Sequence, residues 1–201
     1  ERLIRKAAAY GIDAAPVVRK LDEYAALLVE YNQKVNLTAI TDAEGIEDRH
    51  FIDSLLLAAR PEVCGRMVDV GTGAGFPGIV AKLFRPELDL TLMEPTGQRV
   101  DFLKYACSAL GVEAEFAKER AEEAARKQWR ESFDVATARA VAALPVLAEY
   151  CLPLLRRGGG FIAMKGSGAE EEIDAAQGAV AKLGGKYAGR QDVTLPDGSA
   201  R

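Results

Sequence analysis

The sequence predicts an α/β fold: a parallel sheet covered by helices on both faces, behind an N-terminal helical extension. Two observations carry this reading. From Met67 onward, short apolar runs alternate with amphipathic stretches, and the first of these junctions is the glycine-rich run Gly71-Thr72-Gly73-Ala74-Gly75. Before Pro61, by contrast, the apolar residues recur only at helical spacing. The chain therefore divides into a helical cap, residues 1–60, and a sheet domain, residues 61–201.

In the cap, Glu1 to Tyr10 reads as a helix stopped by Gly11. A second helix follows Pro16, where Val17, Leu21, Tyr24, Leu27, Leu28 and Tyr31 make one apolar face. A third follows Thr41-Asp42, with Ile46, Phe51, Ile52, Leu55 and Leu56 on its face. In the sheet domain the strands are expected at residues 67–70, 88–93, 113–117, 133–137 and 161–164. Helices are expected between them at 79–84, 98–110, 121–130, 144–155 and 169–183. Gly158-Gly159-Gly160 reads as a turn into the last strand. Asp192 to Leu195 is a further strand candidate, followed by the turn signal Pro196-Asp197-Gly198. Its hairpin partner is expected beyond Arg201, and residues are expected upstream of Glu1, which is not a methionine.

Apolar residues make up 49% of the 201 and charged residues 28%, a globular balance that excludes a disordered chain. No apolar run nears the roughly 20 residues of a membrane span, and Arg2, Arg5 and Lys6 lead into no secretory signal, so no membrane partner is expected. The three cysteines, Cys64, Cys107 and Cys151, are too widely spaced for a disulfide framework or a zinc site. A reducing cytoplasmic location and a monomer are expected. The net charge of −4 argues against broad affinity for nucleic acid. Residues 1–20, however, hold five basic groups against two acids, and Arg49, Arg120, Arg139 and Lys165 are expected to gather at one edge of the sheet. That distribution leaves room for a selective RNA encounter.

The strongest chemical signal is Asp69-Val70-Gly71-Thr72-Gly73-Ala74-Gly75-Phe76-Pro77-Gly78. Glycines at a strand-to-helix turn let a ligand lie against bare main chain. Glu94, at the end of the second strand, is placed to take both hydroxyls of a ribose, so the pair implies an adenosine-bearing cofactor. A nicotinamide dinucleotide wants an open helix N-terminus for its pyrophosphate, whereas Phe76-Pro77 crowds this one. The loop suits S-adenosylmethionine better, with Asp69 supplying charge near the donor's cationic groups.

The whole pattern resembles one family. Asn36-Leu37-Thr38-Ala39-Ile40, Arg49-His50-Phe51-Ile52-Asp53-Ser54-Leu55, the glycine loop with Phe76-Pro77-Gly78, Arg120-Ala121-Glu122, Thr137-Ala138-Arg139-Ala140-Val141 and Met164-Lys165-Gly166 carry the resemblance. The family is RsmG (GidB), the bacterial methyltransferases of N7 of a guanine in 16S ribosomal RNA. The resemblance implies a Rossmann-like S-adenosylmethionine-dependent methyltransferase sheet whose C-terminal strand is missing from this chain. It implies 16S rRNA or the small ribosomal subunit as partner. It also implies donor contacts at Gly71, Phe76, Glu94, Pro95, Thr96, Ala121, Glu122 and Arg139, beside the Gly73 and Gly75 of the loop. No metal is expected.

Guanine N7 has an in-plane lone pair and no proton, so its methylation needs no general base, and no catalytic residue is named. The chain also lacks the Asn-Pro-Pro-aromatic run of amine methylation and the Pro-Cys nucleophile of carbon-5 pyrimidine methylation. Four residues are candidates for positioning substrate. Arg139 should hold guanine O6, a phosphate or the donor's carboxylate, or else form a strand-end ion pair. His50, the only histidine, is either a substrate contact or a helix-face residue bonded within the fold. Asn36 is a turn or pocket-lid residue, and Lys165 faces RNA or solvent. The acids Glu170, Glu171 and Glu172 read as a solvated helix start. The competing readings are a nicotinamide-dependent oxidoreductase and a non-catalytic RNA-binding relative.

Overall fold

The computed structural model describes residues 1–201. Five strands, β1 (Arg66–Val70), β2 (Asp89–Met93), β3 (Glu115–Ala117), β4 (Phe133–Arg139) and β5 (Leu155–Met164), form one sheet in the order β3-β2-β1-β4-β5. Every pairing is parallel. The connections are α5 (Gly78–Phe84), α6 (Gly97–Leu110), α7 (Ala121–Ala124) and α8 (Leu144–Cys151), and α9 (Ala169–Lys182) follows β5. The strand order reverses direction beside β1, so the carboxyl ends of β1 and β4 flank the crevice where such sheets hold ligands.

The cap consists of α1 (Arg2–Ala8), α2 (Val18–Asn32), α3 (Ala43–Gly45), a π-helical segment (Ile46–Ile52) and α4 (Asp53–Ala58). It packs on one face of the sheet. Leu21, Tyr24, Leu28, Phe51, Ile52 and Leu55 share a buried cluster with Met67, Ile79, Leu90, Phe102 and Val135. A smaller cluster on the opposite face unites Val68, Val70, Phe133, Ala136 and Ala138 with Leu147 and Cys151. Strand alternation explains the partition, because successive side chains leave opposite faces; Phe133 is the exception, where the β4–β5 register shifts. Met67 and Val135 point to the cap, and so do Asp69, Thr137 and Arg139, which continue the same period-two rows.

The expected elements are present, with four differences. The predicted third cap helix is split, its centre wound as the π segment. The helix after β3 ends at Ala124, not residue 130. The fifth strand starts at Leu155, six residues before the predicted 161: the helix before it stops at Cys151, Pro153 sits in a short 3₁₀ turn, and the glycine run enters the strand. Glycines 158–160 are absorbed where the β4–β5 register shifts between Phe133 and Val135; bulges of this kind admit residues without side chains. Last, the C-terminal hairpin closes within the chain. Thr194 bridges Ala200, and Val193 and Arg201 exchange both backbone hydrogen bonds, at 2.7 and 2.8 Å. No helix is long and apolar enough to cross a membrane.

Candidate active site

The glycine loop leaves β1 over a buried carboxylate. Asp69 has no exposed surface. Its Oδ2 accepts from Thr72 Oγ1 at 2.6 Å and from the Gly78 amide at 2.8 Å, and Thr137 Oγ1, its register partner on β4, lies 3.4 Å from Oδ1. Burial pushes its carboxyl up to about 7, against the lowering effect of those hydrogen bonds. Asp69 thus ties both ends of the loop together and occupies the amide of the first residue of α5. It does not reach the crevice, so the expected charge contact to the donor is corrected: with no exposed atom, this carboxylate shapes the loop. The same bond takes up an amide that a pyrophosphate would need.

Above Asp69 the loop is open. Gly71 and Gly73 have φ of +63° and +59°, where a side chain is strained. A Cβ on Gly71 would lie 2.6 Å from Val141 Cγ2, whereas one on Gly73 would project into empty space. Gly73 therefore presents bare backbone to the crevice. Its amide donates to Glu94 Oε1 at 3.1 Å, and Thr96 N donates to Oε2 at 2.8 Å. The Arg99 guanidinium lies 3.7 Å from Oε1. Glu94 is buried, and an ionised carboxylate has about four lone-pair sites, so acceptor capacity remains on both oxygens.

The opposite wall comes from the cap. His50 on the π segment stacks on Phe76, with ring centroids 4.3 Å apart and planes within 3°. Its Nδ1 lies 3.0 Å from an Arg139 guanidinium nitrogen and its Nε2 lies 2.9 Å from Thr38 Oγ1. Burial, with help from Arg139 and Arg201, lowers its pKa to about 3. Arg139, projecting from the end of β4, also donates to the Arg49 carbonyl at 2.7 Å and to Asp53 Oδ2 at 3.1 Å. Its guanidinium carbon sits 5.4 Å from the Phe76 ring centroid, a cation–π arrangement. The other oxygen of Asp53 accepts from Arg201 at 3.0 Å. The C-terminal hairpin is pinned further by Arg49–Asp197 at 2.6 Å and by Tyr10 Oη donating to the Thr194 carbonyl at 2.6 Å.

Between these walls lies a cleft of ≈ 170 Å³, lined by Leu37, Thr38, His50, Gly71, Thr72, Gly73, Ala74, Phe76, Arg99, Arg139 and Ala140. Of the residues singled out in the sequence, Gly71, Gly73, Phe76, His50 and Arg139 line it. Gly75 does not line it: a Cβ at this position would run into the Tyr24 hydroxyl and Ile79. Pro95 and Thr96 are exposed beside Glu94, and Ala121 and Glu122 open α7 after β3 at the same edge.

Four expectations change. Asn36 stands exposed, and its neighbours Leu37 and Thr38 line the cleft instead. Lys165 is tied within the protein: its Nζ lies 2.8 Å from Glu172 and 2.7 Å from the Ala142 carbonyl. Glu172, which also accepts from the Leu144 amide at 2.9 Å, is accordingly a partly exposed tie between α9 and the start of α8. The anticipated basic edge is mostly paired, because Arg49, Arg139 and Lys165 each meet a carboxylate; of the four basic residues expected there, only Arg120 makes no ion pair.

Sequence reasoning missed Thr38, Asp53 and Arg201 as parts of one network, and Asn32 as its support. Asn32 Oδ1 accepts from the Leu37 and Thr38 amides, at 2.8 and 3.0 Å, and its Nδ2 donates to the Thr38 carbonyl at 3.0 Å. Asn32 is the last residue of α2, where an Asn bonding the backbone of the following loop is a common device; that was the one signal the sequence carried.

Comparison with known proteins agrees with this geometry. The family model GidB, rRNA small subunit methyltransferase G, matches residues 17–192. Ribosomal RNA small subunit methyltransferase G of Alkaliphilus metalliredigens is 47% identical over 183 residues, covering 89% of this chain and 77% of that protein. The protein of the same name from Halalkalibacterium halodurans is 48% identical over 181 residues, covering 88% and 76%. Among solved structures, a SAM-dependent O-methyltransferase from Thermotoga maritima shares the fold, with a TM-score of 0.52 at 14% identity over 86% of this chain and 64% of that one. A glycine loop facing a buried acid, a capped helix start and identity of this extent over most of the chain lead to one conclusion: the chain belongs to the rRNA small subunit methyltransferase G family.

Proposed function

We propose that the chain transfers a methyl group from S-adenosylmethionine to N7 of a guanine in small-subunit ribosomal RNA, within the cleft between the glycine loop and the cap. The residues present fit this donor. Gly73 leaves room that a Cβ would fill, Glu94 keeps lone pairs for a ribose diol, and the amide at the start of α5 is already satisfied by Asp69. Glu94 and the Gly71–Gly73 backbone would hold the nucleoside, with Pro95, Thr96, Ala121 and Glu122 bordering it. When bound, the donor supplies an electrophilic methyl on a sulfonium centre.

One observation carries the choice of nucleophile: the cleft offers no free base. Its imidazole is held at both nitrogens, Asp69 is sealed below, and Glu94 is engaged by two amides. A nucleophile that arrives with a lone pair and no proton needs none. With the donor bound, such a lone pair would form the N–C bond as the S–C bond breaks, the sulfur keeping its pair and the purine taking the positive charge. Residues 1–60 close the pocket over this event and, by excluding water, make alignment and fixed dipoles the main contributions to rate. Arg139 and His50 position the base. The protein acts as a monomer on 16S rRNA or the small subunit.

The test is radiolabelled methyl transfer to small subunits lacking the modification, with the labelled base mapped. Label at a guanine N7 is expected; label at an exocyclic amine or at carbon overturns the reading. Calorimetry with S-adenosylmethionine and NADH separates the oxidoreductase alternative. Glu94→Gln is expected to weaken donor binding about 10- to 100-fold, the loss of one or two hydrogen bonds to a charged group.

A further inference from the structure

The hydrogen bonds around Thr38 fix the direction of its hydroxyl. Arginine has only donors, so Arg139 must donate to His50 Nδ1, 3.0 Å away. A neutral imidazole that accepts at Nδ1 carries its proton on Nε2, and this proton goes to Thr38 Oγ1 at 2.9 Å. The Ile40 amide donates to the same oxygen at 3.1 Å. A threonine hydroxyl has two lone pairs and one proton. Both lone pairs are therefore taken, and the O–H has no acceptor within the protein. Asn32 clamps the Thr38 backbone from both sides, so the group is held in place on the cleft wall.

We infer that Thr38 is a specificity residue: its hydroxyl is locked as a donor and reads the O6 acceptor of the target guanine. The inference rests on the function proposed above. It follows from the chemistry of the purine edge, where N7 must stay free for the methyl group and O6 is the neighbouring acceptor. Arg139 is poorly suited to that task, because it already serves the Arg49 carbonyl, Asp53 and His50. Adenine and 2,6-diaminopurine keep N7 but place an amine donor where guanine has O6. A hydroxyl with both lone pairs occupied cannot accept from that amine, so donor meets donor, and an unpaired polar pair in a closed site discriminates strongly.

The experiment uses the full chain and small-subunit RNA reconstituted with guanine, inosine or 2,6-diaminopurine at the target position. The wild-type chain is expected to methylate guanine and inosine similarly and to discriminate against 2,6-diaminopurine. Failure to methylate the guanine substrate at N7 overturns the proposed function itself. Equal use of guanine and 2,6-diaminopurine by the wild-type chain overturns only the present inference. Thr38→Val is expected to lower kcat/KM on guanine about 10- to 100-fold while leaving the rate on 2,6-diaminopurine unchanged or higher, so that the preference collapses. Thr38→Ser should retain it. A merely structural role would lower both rates alike, and an unaltered preference in Thr38→Val would refute the assignment.

Discussion

The Arg139 guanidinium donates to Nδ1 of His50 across 3.0 Å, a bond that joins the end of β4 to the cap and that only a neutral imidazole can accept. The first prediction concerns that ring. Its pKa, lowered to about 3 in the fold, lies below the value near 6.5 of an unfolded histidine. Between those values the unfolded chain binds the extra proton, so stability is lost as pH falls through the window. Because the chain has one histidine, its nitrogen resonances are unambiguous. They should show the Nε2–H form unchanged from pH 5 to 8, and a midpoint near 6.5 in the folded protein would contradict the arrangement.

Asp53 should separate fold from chemistry when compared with Arg139. This carboxylate is 2% exposed and serves two guanidinium groups. Asp53→Asn leaves both short of a counter-charge, and a loss of about 3 kcal/mol in denaturant titrations is expected. Arg139→Ala leaves Asp53 paired with Arg201, so the fold should persist while methyl transfer drops about 100-fold or more. Near-normal turnover by Arg139→Ala would remove it from the positioning machinery.

Asp69 gives a pH dependence of the opposite sign. Its folded pKa, about 7, is above the value of about 3.9 for an unfolded aspartate. Through that window the folded chain keeps a proton that the unfolded chain has released, so this group's contribution to stability declines as pH rises from about 4 to 7. Subtracting the stability profile of Asp69→Asn from that of the parent chain should isolate the slope. Parallel profiles would show that Asp69 titrates normally.

Lys165→Met tests whether the end of β5 meets RNA. The ion pair with Glu172 is partly exposed, so the expected cost is about 1 kcal/mol or less. Methyl transfer and its dependence on salt should stay as in the parent chain. A flattened salt dependence, the mark of a lost phosphate contact, would restore the RNA-facing reading.

What could be read from the sequence was what is local. The glycine loop and Glu94 are legible because a tight strand-to-helix turn and the acid at the neighbouring strand end impose residue types at fixed spacing. Arg139 is legible as the end of a strand. The role of Asp69 was not, since its neighbours Thr72 and Gly78 say nothing of whether solvent reaches it. Lys165 and Glu172 are seven residues apart, yet their pairing depends on how α9 turns back against α8. The Asp53–Arg201 bond spans 148 residues, and no periodicity in either segment announces it. The strand boundary at Leu155 was misplaced because a glycine triplet is an ordinary turn signal, and only pairing with β4 makes it a bulge.

The π-helical segment has a consequence for how this family's members can vary in length. A π turn holds one more residue than the α turn it replaces. Removing any single residue between Ile46 and Ile52 would therefore let the backbone relax into a regular α-helix, a locally comfortable change. The flanking turns would keep their faces, but the tighter winding would turn His50 about the axis relative to Asp53, moving it away from the carboxylate that anchors Arg139. A one-residue deletion here should yield a well-folded protein that has lost its chemistry, so this stretch is expected to resist gaps even where its side chains drift.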